Sequence, residues 1–257
     1  MTLEACAALV ERADPVRFAA VMAAPAPLRP RLWPLYAFNI EVARAPWVSK
    51  EPMIAEMRLQ WWRDVIDGAG QGIAPAHEVA GPFASLLAEG LPLDVADALV
   101  DARRHDIYPD PFEDEAALIA YLDATAGGLM VLAARALGGN AAGNAAGDAA
   151  ARHVGRATGV VAYLRAIPDL EARGRHPLPD GRAQAVADLA RKGLGWLEQG
   201  FAARAGVPPA ALLTAAQTRG LLTLAIREPG RVADGLLHLS PMAERGRLLW
   251  QALSGRF

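Results

Sequence analysis

The sequence predicts an all-α protein, and three observations predict it. Ala, Leu and Arg are abundant while alternating runs of Val, Ile, Thr and aromatics are missing, so helix is favoured almost everywhere. Apolar residues recur at steps of three and four in two long windows. Pro and Gly fall in clusters that cut the chain at helix-length intervals.

In chain order, Ala24-Pro25-Ala26-Pro27 precedes a helix expected from about Pro30 to Trp47. Ile54, Met57, Trp61 and Val65 then form a stripe, with Glu56, Gln60, Arg63, Asp64 and Asp67 opposite. That pattern predicts an amphipathic helix with the stripe on the core, closed by Gly68 to Gly72. A helix beginning near Pro92 and Asp94 ends at Tyr108-Pro109-Asp110-Pro111, and the next spans Asp114 to Leu137. Gly138 to Asp148 is rich in small residues and reads as a surface loop. A long helix should then reach Ile167, where Pro168 is expected to break it, and Pro177-Leu178-Pro179 opens a loop. Helices return from Arg182, around Pro208 to Ile226, and near the C-terminus. After Arg182, Val186, Ala190, Leu194, Leu197 and Phe201 share one face against Asp188, Arg191, Lys192 and Glu198. No second composition regime or repeat interrupts residues 1–257, which read as one domain of about ten helices.

The balance of charge narrows the function. Charged residues make up 21% and apolar residues 53%, as in folded globular proteins. The formal net charge of −2 offers no attraction for a polyanion, so no nucleic-acid partner is expected. Cys6 is the only cysteine, which excludes an internal disulfide and a thiolate metal site. The five histidines show no metal-ligand spacing, and none stands near a plausible Ser or Cys nucleophile in sequence. The N-terminal segment carries Glu4 and Glu11 and does not read as a signal peptide. The nearly uncharged run from Ala124 to Ala134 is too short to span a bilayer. A cytoplasmic location is expected, with peripheral attachment to a membrane left open.

Four segments can carry chemistry. In the first, Leu35 to Trp47, helical spacing puts Tyr36, Ile40, Ala43 and Trp47 on one face with Arg44 beside it. Periodicity alone favours a core-facing stripe there, and a local ion pair between Glu41 and Arg44. The second, Tyr163 to Pro179, carries Arg165, Arg173 and Arg175, either as an anion site or as a solvated helix end whose cations complement the dipole. The third, Tyr121 to Met130, holds small residues including Gly127, which admit a ligand or, more commonly, a second helix. The fourth, Met57 to Asp64, has paired tryptophans that read as one core and one boundary residue.

In this order, the segments resemble the squalene/phytoene synthase family from about Arg17 onward. Leu35-Tyr36-Ala37-Phe38 matches the family's LYAF, but the three positions of its aspartate-rich DDxxD fall on Ala43, Arg44 and Trp47. Tyr121, Ala126 and Gly127 match a second motif. Leu164, Arg165, Arg173, Gly174, Arg175, Leu178 and Pro179 match a third, whose two aspartates fall on Ala166 and Leu170. Pro168 stands where the family has glycine, and Asp169 lies beside a lost position and could point near the cavity.

The resemblance implies an isoprenoid-synthase-type helical bundle around a central cavity. In active members, aspartates on two facing helices hold magnesium against the diphosphates of two prenyl substrates, which are joined head to head. Carboxylates are the usual protein anchors of that hard cation, so their replacement implies no catalytic residue, no metal site and no cofactor; magnesium is expected only if the chain is an active prenyltransferase. The substrate-binding set that the resemblance carries over is Tyr36, Arg44, Trp47, Tyr121, Gly127, Arg165, Arg173 and Arg175. Phe38-Asn39-Ile40-Glu41 and Met57-Arg58-Leu59-Gln60-Trp61-Trp62 are most similar to a degenerate subset that includes a mitochondrial assembly factor of respiratory complex I and bacterial relatives. The partners implied are a respiratory complex or membrane surface, and a prenyl diphosphate or isoprenoid lipid in the cavity.

Overall fold

The computed structural model describes residues 3–138 and 145–256. Among them every regular element is helical, with no strand. The first helices are α1 (Leu3–Ala13), α2 (Pro15–Ala23), α3 (Arg29–Arg44) and α4 (Pro52–Gly70). Then follow α5 (Ala80–Ala88), α6 (Leu93–Ala102), α7 (Glu115–Leu122) and α8 (Gly128–Ala136). The chain continues with α9 (Ala145–Ala172), α10 (Ala183–Ala202) and α11 (Pro209–Leu212), and then α12 (Thr218–Arg227), α13 (Gly230–Ala233) and α14 (Pro241–Ser254). One hydrophobic cluster runs from Cys6 on α1 to Leu237 beyond α13.

Several expected boundaries move, each for a physical reason. Trp47 is not on α3 but on a 3₁₀ turn, Ala45–Trp47, that follows it. The expected loop from Gly138 falls largely on 139–144, outside the described residues, and Ala145 to Asp148 already belong to α9. Pro168 does not end α9, which continues to Ala172. A proline inside a helix forfeits one backbone hydrogen bond, yet the buried Leu164 and Ile167 hold the turn before it in the core. The helix stops instead at Gly174, whose φ of +75° and the Arg175 N–H to Leu170 carbonyl bond of 3.0 Å form a Schellman-type end.

The stripe on α10 lies on the core as predicted, with Val186, Ala190, Leu197 and Phe201 buried and Leu194 packed against them. On α4 the predicted stripe meets the core only at Val65. Met57 is 66% exposed and Trp61 38%, while Ala55, Leu59, Trp62, Ile66 and Ala69 are buried. Apolar residues occupy two faces of this helix, and Trp62 packs against Phe38 and Phe83 inside. The paired tryptophans are thus one core and one boundary residue, as expected.

Between α7 and α8, Asp123–Gly127 forms a π turn. Together the segment Glu115–Ala136 is 22 residues long and apolar enough to cross a membrane, longer than its uncharged run suggested. Of its most apolar stretch, 61% is buried within the protein, as in a core helix.

The π turn meets α9 at very short range. A Cβ on Gly155 would lie 2.5 Å from the Ala126 carbonyl oxygen and 2.6 Å from Met130 Cβ, and one on Gly159 would lie 2.7 Å from Ala126 Cβ. Gly195 on α10 has open space around it. Gly155→Ala should therefore lose about 2 kcal/mol through overpacking, despite its better helix propensity. Gly195→Ala should gain roughly 0.5–1 kcal/mol. Urea unfolding measures both, and a Gly155→Ala protein as stable as the parent would contradict the close contact.

Candidate functional site

A cavity of about 510 Å³ opens between the C-terminal half of α3, the 3₁₀ turn after it, the π turn and the second half of α9. Ile40, Ala43, Arg44 and Trp47 line one wall, and Gly159, Tyr163, Ala166 and Leu170 the facing one. The five positions that resemble the family's lost aspartates (Ala43, Arg44, Trp47, Ala166 and Leu170) all face this cavity.

Four arginines and three aspartates complete the lining, and most of them are paired with one another. Asp14 caps α2, accepting from the Arg17 backbone N–H at 3.0 Å and from its guanidinium. Arg103 and Asp106 lie on the 3₁₀ turn Arg103–Ile107, three residues apart and 3.2 Å from each other. Tyr121 completes that group: its hydroxyl donates to Asp106 at 2.9 Å and accepts from Arg103. Burial pushes the Tyr121 phenol well above its usual value, and Asp106 adds to the rise that Arg103 opposes. Arg103 is held charged, because Tyr121 and Asp106 outweigh the cost of its burial. Asp169, Arg44 and Arg173 are exposed at the rim, with no ion pair among the described residues.

The structure separates the predicted site residues. Tyr36 sits on the same side of α3 but lines a narrow neighbouring space of about 10 Å³ with Arg17 and Thr214, and burial raises its phenol to about 12. Gly127 does not line the cavity; its α-carbon faces Arg152 of α9, so its smallness serves helix packing. Arg165 is exposed and lines a different pocket with Val232, Leu237 and His238, away from Arg173 and Arg175. Arg173 lines the cavity, with its guanidinium 4.8 Å from the Trp47 ring centroid. Arg175 lies 5.1 Å from the same centroid and donates to the Asp106 carbonyl at 2.9 Å. Trp47 therefore packs against both cations instead of standing alone in the cavity.

The expected Glu41–Arg44 ion pair is not formed. Glu41 turns to a separate apolar pocket lined by Met57, Trp61, Trp62 and His77. Asn39, Asp14, Arg17, Arg103 and Asp106 line the cavity without having been singled out from sequence. Asp14 with Arg17 and Arg103 with Asp106 are each an acid and a base three residues apart, the one local signal they carried.

The donor set does not fit magnesium. Asp14 and Asp106 are committed to arginines, Asp169 stands alone, and no group of three or more His, Cys, Asp or Glu among the described residues is placed to hold a metal. Magnesium wants near-octahedral oxygen ligands around anchoring carboxylates. The wall suits an apolar guest with an anionic end met by Arg44 and Arg173.

Tyr121→Phe should cost about 1–3 kcal/mol in urea unfolding, because it strips a bond from each member of a half-buried ion pair. His105 stacks on Phe112 at 3.7 Å, and burial lowers it below the ordinary value of 6.5; Arg175 adds to this, while Asp106 and Asp110 oppose it. The unfolded chain takes up that proton first, so the folded state loses stability as pH falls through and below 6.5. His105→Phe, which keeps the stack, should flatten the decline in melting temperature on acidification, and an equal slope would show that the decline lies elsewhere.

Residues 10–240 match the squalene/phytoene synthase family model. The chain is similar to NADH dehydrogenase (ubiquinone) complex I, assembly factor 6, of Bos taurus: 27% identical over 175 residues, 68% of this chain and 52% of that protein. The Drosophila melanogaster homolog of that factor is 41% identical over 63 residues, 24% of this chain and 19% of that protein. The chain spans about half the length of its mammalian relatives. In fold it is similar to a dehydrosqualene synthase (TM-score 0.79, 15% identity, covering 98% of this chain and 95% of that one). It is also similar to squalene synthase HpnC from Alicyclobacillus acidocaldarius (TM-score 0.74, 17% identity, covering 88% and 93%). The architecture is thus the all-α isoprenoid-synthase type, and with the family model covering most of its length, the chain belongs to the squalene/phytoene synthase family.

Proposed function

We propose that this chain is a non-catalytic family member that acts by binding, in the assembly of a respiratory complex at a membrane surface. The observation that carries this reading is the cavity wall. Where metal-binding carboxylates would grip diphosphate, the wall presents Ala43, Arg44, Trp47, Ala166 and Leu170. Departure of diphosphate from carbon needs cationic stabilisation of the leaving group, which magnesium would supply in an active member. The likeness to proteins named as complex I assembly factors supports the role. The cytoplasm, with peripheral attachment to a membrane, is the location this reading assigns.

Purified protein given farnesyl or geranylgeranyl diphosphate with magnesium should yield neither squalene nor phytoene and release no diphosphate. Either product in the extract would overturn the non-catalytic reading.

Arg44 and Arg173 favour a second reading, in which the cavity holds a prenyl diphosphate or isoprenoid lipid without metal. Their unpaired forks suit phosphate oxygens. Calorimetric titration with farnesyl diphosphate should then give affinity insensitive to chelator. Arg44→Ala with Arg173→Ala should weaken it by about tenfold or more, from two lost charge-assisted contacts. Arg165→Ala should leave it unchanged, and equal loss in that variant would contradict the separation of the two pockets.

A further inference from the structure

The last helix, α14, begins at Pro241, just past the stretch that matches the family model. Its own residues define it. The Ser240 side chain accepts from the Ala243 N–H at 3.3 Å, Pro241 occupies the first turn, and Gly255 closes the other end at a φ of +63°. A helix so delimited usually buries one face, yet none of its residues is buried. It rests on the body through Leu248 and Ala252, which pack on a small cluster of Ala20, Ala24, Ala210 and Leu213, and through Arg247, which lies against Gly220 of α12.

The opposite face is apolar and open. Met242, Gly246, Leu249, Trp250 and Leu253 follow at helical spacing, and the four large side chains are 85%, 60%, 60% and 79% exposed. Single exposed apolar residues are ordinary, but four on one stripe mark an interaction surface. The charge beside the stripe is one-sided. Arg245 and Arg256 outnumber the single Glu244 and have no ion pair among the described residues, while Arg247 lies against Gly220 of α12. A tryptophan, two leucines and a methionine bordered by unpaired arginines match the interfacial region of a bilayer, where the ring sits at headgroup depth and the cations meet phosphate.

We propose that α14 is an interfacial helix that seats this protein on an anionic phospholipid surface, lying flat with its Met242–Leu253 stripe in the headgroup layer. This rests on the membrane-surface part of the reading above and names the surface responsible. It does not depend on whether the cavity is catalytic.

The test is co-sedimentation of the full chain with vesicles of phosphatidylcholine mixed with phosphatidylglycerol, and with vesicles of phosphatidylcholine alone. The parent should bind the mixed vesicles, and far less to the neutral ones. Leu249→Ser with Leu253→Ser should lower the vesicle partition coefficient by about tenfold or more, since each leucine forfeits its apolar burial. Both side chains are exposed, so the melting curve should not move. Arg245→Glu with Arg256→Glu should weaken binding to mixed vesicles and reduce its sensitivity to salt. Brominated lipid should quench tryptophan fluorescence in the parent and much less in Trp250→Phe. Three results would overturn the proposal. One is no binding to either vesicle. Another is undiminished binding by the serine variant, which leaves a membrane role standing but removes α14 as its agent. The third is a self-associated parent, made monomeric by the serine substitutions in sedimentation velocity, which would mean that a second copy covers the stripe.

Discussion

The contact between Gly155 and Gly159 of α9 and the π turn at Asp123–Gly127 sets the geometry of everything around the cavity. There is no room for a single methyl group between these segments. The extra residue in the π turn shifts the register between α7 and α8, so that Tyr121, Thr125, Ala126 and Leu129 all reach the cavity. Were α9 to sit further out, Tyr163, Ala166 and Leu170 would no longer face α3, and the two walls would part. Asp123, at the start of the turn, holds Arg152 and Arg156 of α9 by ion pairs, so close packing and charge fix one crossing.

The wall around Trp47 depends on a different linkage. Arg175, just past the end of α9, reaches the carbonyls of the Arg103–Ile107 turn and lies over Trp47. Tyr163 donates to the Pro177 carbonyl at 2.8 Å, drawing the next loop against α9. Three segments distant in sequence are thus gathered under one tryptophan.

Much of the fold was legible because the sequence shows helix signals almost everywhere and its Pro and Gly clusters fall between helices. The face of α10 could be read because only one side of it is apolar. That of α4 could not, because Ile54, Met57 and Trp61 compete with Leu59, Trp62 and Ile66, and only contact with α5 decides between them. Pro168 misled because burial of Leu164 and Ile167 in the turn before it outweighs one missing hydrogen bond. Within the site, Ala43, Arg44, Trp47 and Arg173 were legible through helical spacing and family resemblance. The pairs Asp14–Arg17 and Arg103–Asp106 were not, because nothing local ties those turns to the cavity; tertiary packing brings them there. The π turn was equally hidden, since its residues read as ordinary helix until α9 presses on them.

The self-paired ions of the cavity have a consequence for what can enter. Its lining carries a formal excess of only one positive charge, and two of its four arginines are already paired with neighbouring carboxylates. So small an excess exerts little pull beyond one screening length in physiological salt. Guests would be sorted at short range, by girth and by the fit of one headgroup between two arginine forks, and not by attraction from afar. A cavity of that kind discriminates among apolar tails more sharply than among anions.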